Sequence, residues 1–235
     1  MRPPRPIRAG ALLLALAFAG CSEERSIRGD GDGAGGTGGS APGATTIYDL
    51  RNPDHPARPG SPVMLRSVVV TGVVERPNEI GEWVPQHFFV QEQRGGKRSG
   101  IYVRNGSDGQ PVVTPPAVGD VVDLAGTFAE YFERAQVEVT SLKNLGPGTV
   151  PAPALVDPLA VATGGAEQED WEGVLVEVRD VVNVEDPVLG TDGVDRGAFR
   201  VGPEGGTAGV IVGTLWRDDY RGKVGDAFRS IVGRK

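Results

Sequence analysis

Val118-Gly-Asp-Val-Val-Asp-Leu-Ala-Gly-Thr-Phe-Ala-Glu-Tyr-Phe132 is the stretch on which the fold turns. It is the longest run in the chain rich in β-branched and aromatic residues, and it carries a glycine at 126 in its middle. Glycine inside such a run marks a bulge or a sharp bend, which is how a strand turns the corner of a curved sheet. Downstream, Ala135-Gln-Val-Glu-Val-Thr140 alternates strictly and reads as the next strand. Upstream, Leu65-Arg-Ser-Val-Val-Val-Thr-Gly-Val-Val-Glu75 repeats the device, with Gly72 inside the run. Between them, His87-Phe-Phe-Val-Gln-Glu-Gln93 and Gly100-Ile-Tyr-Val-Arg104 flank a basic, glycine-rich turn and form a hairpin. Asn105-Gly106 and Asp108-Gly109 then break the chain, and a loop through Pro111, Pro115 and Pro116 follows, with no helical pattern over 105–117. The chain has 36 glycines and 19 prolines in 235 residues, too many helix breakers for a bundle or coiled coil. The fold class is all-β.

Five strands, with bends in the first and fourth and a loop between the third and fourth, match the order of an OB barrel. Phe88-Phe-Val-Gln-Glu, Gly100-Ile-Tyr-Val, the 118–132 run and Gln136-Val together resemble OB-fold modules found beside secreted bacterial nucleases and in other bacterial surface proteins. The resemblance covers about residues 63–145, within a first domain assigned to 45–146. A pattern of strands rather than a catalytic signature carries it.

A second unit, residues 154–235, follows the Pro-rich break Gly146-Pro-Gly-Thr-Val-Pro-Ala-Pro153. Asp170-Trp-Glu-Gly-Val-Leu-Val-Glu-Val-Arg-Asp-Val-Val-Asn-Val184 reads as a long strand echoing 65–75. Ala198–Val201 and Ala208–Val212 echo the hairpin, and Val224-Gly-Asp226 with Ile231-Val-Gly233 echoes Val118-Gly-Asp120 with Leu124-Ala-Gly126. An internal repeat of roughly 100 residues follows. Its fifth strand is missing, so the expectation is an incomplete OB-like unit with open edges. Those edges are expected to be covered by packing on the first unit or by residues near Ile47 to Leu50.

The N-terminus is an address. Residues 1–8 carry three arginines, and residues 9–20 are uninterruptedly apolar or small. Twelve helical residues span about 18 Å, short of the ~30 Å hydrocarbon core, so 1–20 reads as a signal peptide. Leu16-Ala-Phe-Ala-Gly-Cys21 resembles the lipobox of bacterial lipoproteins. That resemblance implies a diacylglyceryl thioether at Cys21, N-acylation after cleavage and, with Ser22 following, an outer-membrane location in the cell envelope. Two or more acyl chains are what stable anchoring needs. Residues 21–44 are glycine-rich and form a flexible tether spanning roughly 25–30 Å. Gly31-x-Gly33-x-x-Gly36 within it matches the dinucleotide fingerprint only formally, because neither strand nor helix flanks it, and Asp30 and Asp32 lack the remaining ligands of a calcium loop.

The chemistry is narrowly bounded. One cysteine and two histidines, His55 and His87, leave too few ligands for a zinc or iron–sulfur site, and no hydrolase or phosphate-loop motif is present. The acidic loop residues Glu185, Asp186, Asp192 and Asp195 fit no calcium-loop spacing. No enzymatic activity and no cofactor are expected. After removal of 1–20 the chain has 21 basic against 31 acidic residues, a balance of −10 that opposes binding to phosphate polymers. Local positive charge sits at Arg94, Lys97, Arg98 and Arg104, beside His87 and Tyr102 on the second and third strands. These six residues are the candidate ligand-binding face, with Phe88 or Phe89, Tyr131 and Phe132 as further aromatic candidates. Strand alternation sends half of the aromatics inward, with Phe89 and Phe128 assigned to the core. Trp171 is assigned to burial between the units, with sugar stacking as the alternative for Trp171 and Trp216. The expected function is a lipid-anchored, non-catalytic binding or interaction module. The alternative is binding of single-stranded nucleic acid or oligosaccharide on the barrel face, accessory to a secreted nuclease; a protein ligand is the remaining class of partner.

Overall fold

The computed structural model describes residues 45–52, 54, 57–107, 109–131, 134–190, 192–195, 197–213 and 223–235. Cys21, the leader and tether, His55, Phe132 and Trp216 lie outside the described residues. A one-turn helix α1 (Ile47–Leu50) precedes five strands: β1 (Pro62–Pro77), β2 (Trp83–Gln91), β3 (Gly100–Arg104), β4 (Asp120–Tyr131) and β5 (Arg134–Pro147). They pair in the order β1-β2-β3-β5-β4, and β4 returns to β1, so the ring closes. All pairings are antiparallel except β3 with β5, which run parallel with Tyr102 opposite Gln136 and Arg104 opposite Glu138.

The two glycines singled out by the strand pattern sit where the ladder slips. The β1–β2 register shifts between Val70 and Gly72, and the β4–β5 register between Ala125 and Gly126. At Gly126 a Cβ would lie 2.3 Å from the carbonyl oxygen of Glu138, so no other residue fits the bend without displacing backbone. Alternation then fills the interior: Leu65 and Val68 from β1, Phe88 and Val90 from β2, Ile101 and Val103 from β3, Val122, Leu124 and Phe128 from β4, and Val137 from β5. Thr46 caps α1 in a reciprocal box with Asp49. The helix is pinned to the β2–β3 turn, where Ile47 N donates to Glu92 Oε1 (2.8 Å) and the Tyr48 hydroxyl to the Gly95 carbonyl (2.6 Å).

The second unit repeats the wiring. β6 (Ala154–Leu155) leads, through a 3-10 turn at Glu169–Trp171, to β7 (Leu175–Glu185), β8 (Phe199–Gly202), β9 (Val210–Val212) and β10 (Ala227–Arg234). β7 pairs antiparallel with β8 and β10, and β8 with β9, as β1 pairs with β2 and β4, and β2 with β3. Even the register is kept: Gly126 lies opposite Val63, and Gly233 opposite Val176. Among the described residues no strand joins β9 to β10, so this sheet stays open, with β6 added parallel to β7. No helix of the described residues is long and apolar enough to cross a membrane.

Several expectations are corrected. Residues 170–174 are not strand: the 3-10 turn and Gly173, at φ +74, delay β7 to Leu175. Ile47 and Leu50 enter the core of the first unit, and Arg51 after them bonds Glu172 and the Glu169 carbonyl of the second. Phe89 is buried, as assigned, but outside the ring: Phe88 is the inward residue, and Phe89 joins Val74 and Tyr102 in a separate buried core cluster. Trp171 is buried, as assigned, packing in the second unit's core with its ring under Lys97 of the first. Because Ile47 is completely buried, Ile47→Ala removes a filled plug from the ring. It should lower unfolding stability by about 2–5 kcal/mol in urea titrations, and an unchanged midpoint would mean that α1 lies on the ring rather than in it.

Candidate functional site

The outer face of β1–β3 gathers polar and aromatic side chains, of which His87, Phe89 and Tyr102 are buried. Phe89 and Tyr102 are directly opposite across β2 and β3, and their rings meet edge-on at 5.1 Å. His87, two positions before Phe89 and on the same face, lies 5.7 Å from the Tyr102 ring. Its Nδ1 accepts a hydrogen bond from Asn105 N (3.0 Å), so the imidazole is held by the start of the following loop. Ring closure brings β5 alongside β3, and the Arg134 guanidinium stands 4.3 Å over the Tyr102 ring. Burial pushes the Tyr102 hydroxyl up, while Arg134, Arg76 and Arg104 pull against it. Three cations from three strands therefore surround one buried phenol. Arg104 is half exposed and pairs with Glu138 at 3.5 Å.

The six candidate residues separate into two groups. His87, Tyr102 and Arg104 are together on this face, whereas the basic turn lies elsewhere. Arg94 stacks on Tyr48 at 4.7 Å, over α1. Lys97 and Arg98 engage the second unit: Lys97 Nζ reaches Glu167 (2.9 Å) and Asp170 (3.2 Å), and Arg98 Nε reaches Asp170 (2.8 Å). Lys97 also lies 5.9 Å over the Trp171 ring, whose Nε1 donates to Glu167. These contacts belong to a seam between the units. Gln91 Oε1 accepts from Leu175 N (3.1 Å), Arg51 pairs with Glu172, and Arg234 donates to the Thr71 carbonyl. Gly100 and Gly173 touch backbone to backbone; a Cβ on Gly100 would sit 2.2 Å from the Gly173 carbonyl oxygen.

Strand reasoning missed Arg134 and Arg76. Neither is near Tyr102 in sequence, and only the closed ring and its twist bring them there. The acidic loop holds no metal constellation among the described residues: Glu185 pairs with Arg200 (2.7 Å), and Asp192 and Asp195 accept backbone N–H groups two residues on. No family model, curated protein or solved structure matches the chain.

The seam's charges set a pH dependence. Burial alone would push Asp170 up, but hydrogen bonds from Arg98 and Lys97 outweigh it and hold the carboxyl below its ordinary value of 3.8. Glu167 is likewise held down, chiefly by the Trp171 and Lys97 hydrogen bonds. Glu172 goes the other way, burial raising it against the pull of Arg51. A lowered carboxyl contributes stability above its unfolded pKa and loses it as pH falls through the folded one. Asp170→Asn should therefore be less stable than the parent at pH 7, with the gap closing below about pH 4 as Asp170 protonates. Thermal midpoints of both proteins from pH 7 to pH 3 read this out; a gap constant to pH 3 would place the stabilisation elsewhere.

Proposed function

We propose that the chain is a lipid-anchored protein of the bacterial cell envelope whose OB-type barrel acts as a non-catalytic binding module, with its ligand face on the outside of β1–β3. The supporting observation is the ring order β1-β2-β3-β5-β4, with the half-exposed Arg104 on the outer face of β3 beside a buried Phe89–Tyr102 pair. That order, with its parallel β3–β5 closure and mid-strand bends, is the one OB folds use. In OB folds the face of the second and third strands binds oligosaccharides and oligonucleotides, and here the half-exposed Arg104 lies on that face. The lipobox-like Leu16–Cys21 and the glycine-rich residues after it support an acylated end and a tether that holds the two β units off the membrane. The seam gives Lys97 and Arg98 intramolecular partners, which takes part of the basic turn out of competition for a phosphate backbone.

Two experiments test the proposal. Cys21→Ser should abolish incorporation of labelled palmitate and move the protein from the detergent phase to the aqueous phase on Triton X-114 partition; unchanged partition removes the anchor. For the ligand face, nuclear magnetic resonance titrations with chitohexaose and with oligothymidylate should show one of the two shifting the Arg104 resonances, with Arg104→Ala weakening that binding several-fold. Oligothymidylate binding that weakens steeply with salt identifies the nucleic acid reading. No shift with either at millimolar ligand rules out this face.

A further inference from the structure

We propose that His87 is a proton-operated latch: a proton taken up at its Nδ1 releases the buried Asn105 and, with it, the backbone of Val112 and Val113. The latch lies beside the proposed ligand face and works whatever that face binds.

Two neighbouring residues of β2 hold the stretch that follows β3. Gln86 is completely buried; its side-chain amide donates to the carbonyls of Asn105 and Ser107 and accepts from Gly109 N. Asn105, also completely buried, returns the contact. Its Nδ2 donates to the Gln86 and Val113 carbonyls, and its Oδ1 accepts from Val112 N (2.9 Å) and Val113 N (3.0 Å). Val113 in turn packs against the core of the ring. The remaining link runs from Asn105 N to His87 Nδ1 at 3.0 Å, with His87 only 6% exposed. In this set every partner is an amide or a carbonyl except the imidazole, so the sensitivity of the staple to pH resides in one nitrogen.

An imidazole nitrogen that accepts an N–H must carry a lone pair, which makes His87 neutral here with its proton on Nε2. Protonation turns Nδ1 into a donor aimed at another donor. Two buried donors facing each other leave both unsatisfied, so the link to Asn105 is lost rather than weakened. The charged surroundings add to the effect. The Tyr102 ring, 5.7 Å from His87, is acted on by Arg76 of β1, Arg104 of β3 and Arg134 of β5. On the acidic side, Glu75 follows Val74, the residue opposite His87 on β1, and Glu138 of β5 pairs with Arg104. A proton on His87 thus joins three arginines against two carboxylates among the described residues.

The latch opens with acid. While latched, His87 binds no proton at Nδ1; once free in water it takes one up with the ordinary histidine value of about 6.5. The released state therefore binds more protons, and its population grows as pH falls below that value, by about tenfold per unit and about thirtyfold from pH 8 to pH 5.

Amide hydrogen exchange on the full chain in detergent, from pH 8 to pH 5 and corrected for the intrinsic pH dependence of exchange, tests the latch. Opening constants at Val112 and Val113 should rise about thirtyfold over that range, while those at Val122 and Leu124 in β4 stay level. His87→Asn, which keeps a side-chain acceptor near the position of Nδ1 but does not titrate, should flatten the profile. His87→Phe, with no acceptor, should leave both amides weakly protected at every pH. Glu79, bonded to Gln110 at 2.9 Å, is a second titrating contact of the same stretch, and Glu79→Gln should leave the rise intact. If His87→Asn does not fold, the imidazole nitrogen resonances of the parent decide: an Nε2–H tautomer at pH 8, together with exchange that rises below about pH 6.5, supports the latch. A level profile in the parent, the same rise in His87→Asn, an Nδ1–H tautomer at pH 8, or a rise abolished by Glu79→Gln overturns it.

Discussion

Five strands close on themselves only if the longest turn corners without losing their ladders, and in this protein that requirement falls on β1 and β4. Gly72 and Gly126 absorb it, each at a slip in register. Once the ring is closed, everything else has a place. The inward set forms one core, α1 fills it from the N-terminal side, and the outward set on β1–β3 gathers into a second, smaller buried cluster. The parallel pairing of β3 with β5 is the last joint of the ring, and it is also what carries Arg134 to Tyr102. Closure of the fold and assembly of the site are one event.

The strand pattern was legible where residues alternate or where glycine interrupts a β-branched run. The 118–132 run, both hairpins and the repeated Val-Gly-Asp element all correspond to strands or to the turns that open them. Parity was harder to read. Phe88 and Phe89 are adjacent and equally apolar, and the bulge at Gly72 shifts the frame in which inward and outward are counted. The delayed start of β7 escaped notice because Trp171 looks like a strand residue, yet Gly173 and the tight glycine contact set a turn there. Of the site, the local part was readable: His87, Tyr102 and Arg104 sit on neighbouring strands of one hairpin. Arg134 and Arg76 were not, since their approach depends on pairings separated by tens of residues.

The basic turn at 94–98 shows how an acidic protein uses a local positive cluster internally. Arg94 lies over Tyr48, and Lys97 and Arg98 meet Glu167 and Asp170. Charge that looks available in a linear reading instead fixes α1 and the second unit to the first. The repeat adds to this picture. Two units share strand order and the glycine register of Val63 with Gly126 and Val176 with Gly233, yet only the first closes among the described residues. Backbone wiring persists while side chains differentiate, and the less complete sheet supplies one wall of the seam.

The Gly100–Gly173 contact has a mechanical corollary. Where two main chains meet with no side chains between them, there are no rotamers to yield, and the spacing is set by peptide groups alone. Such a joint transmits torque rather than absorbing it. The two β units would then move together, with no side-chain slack at the joint.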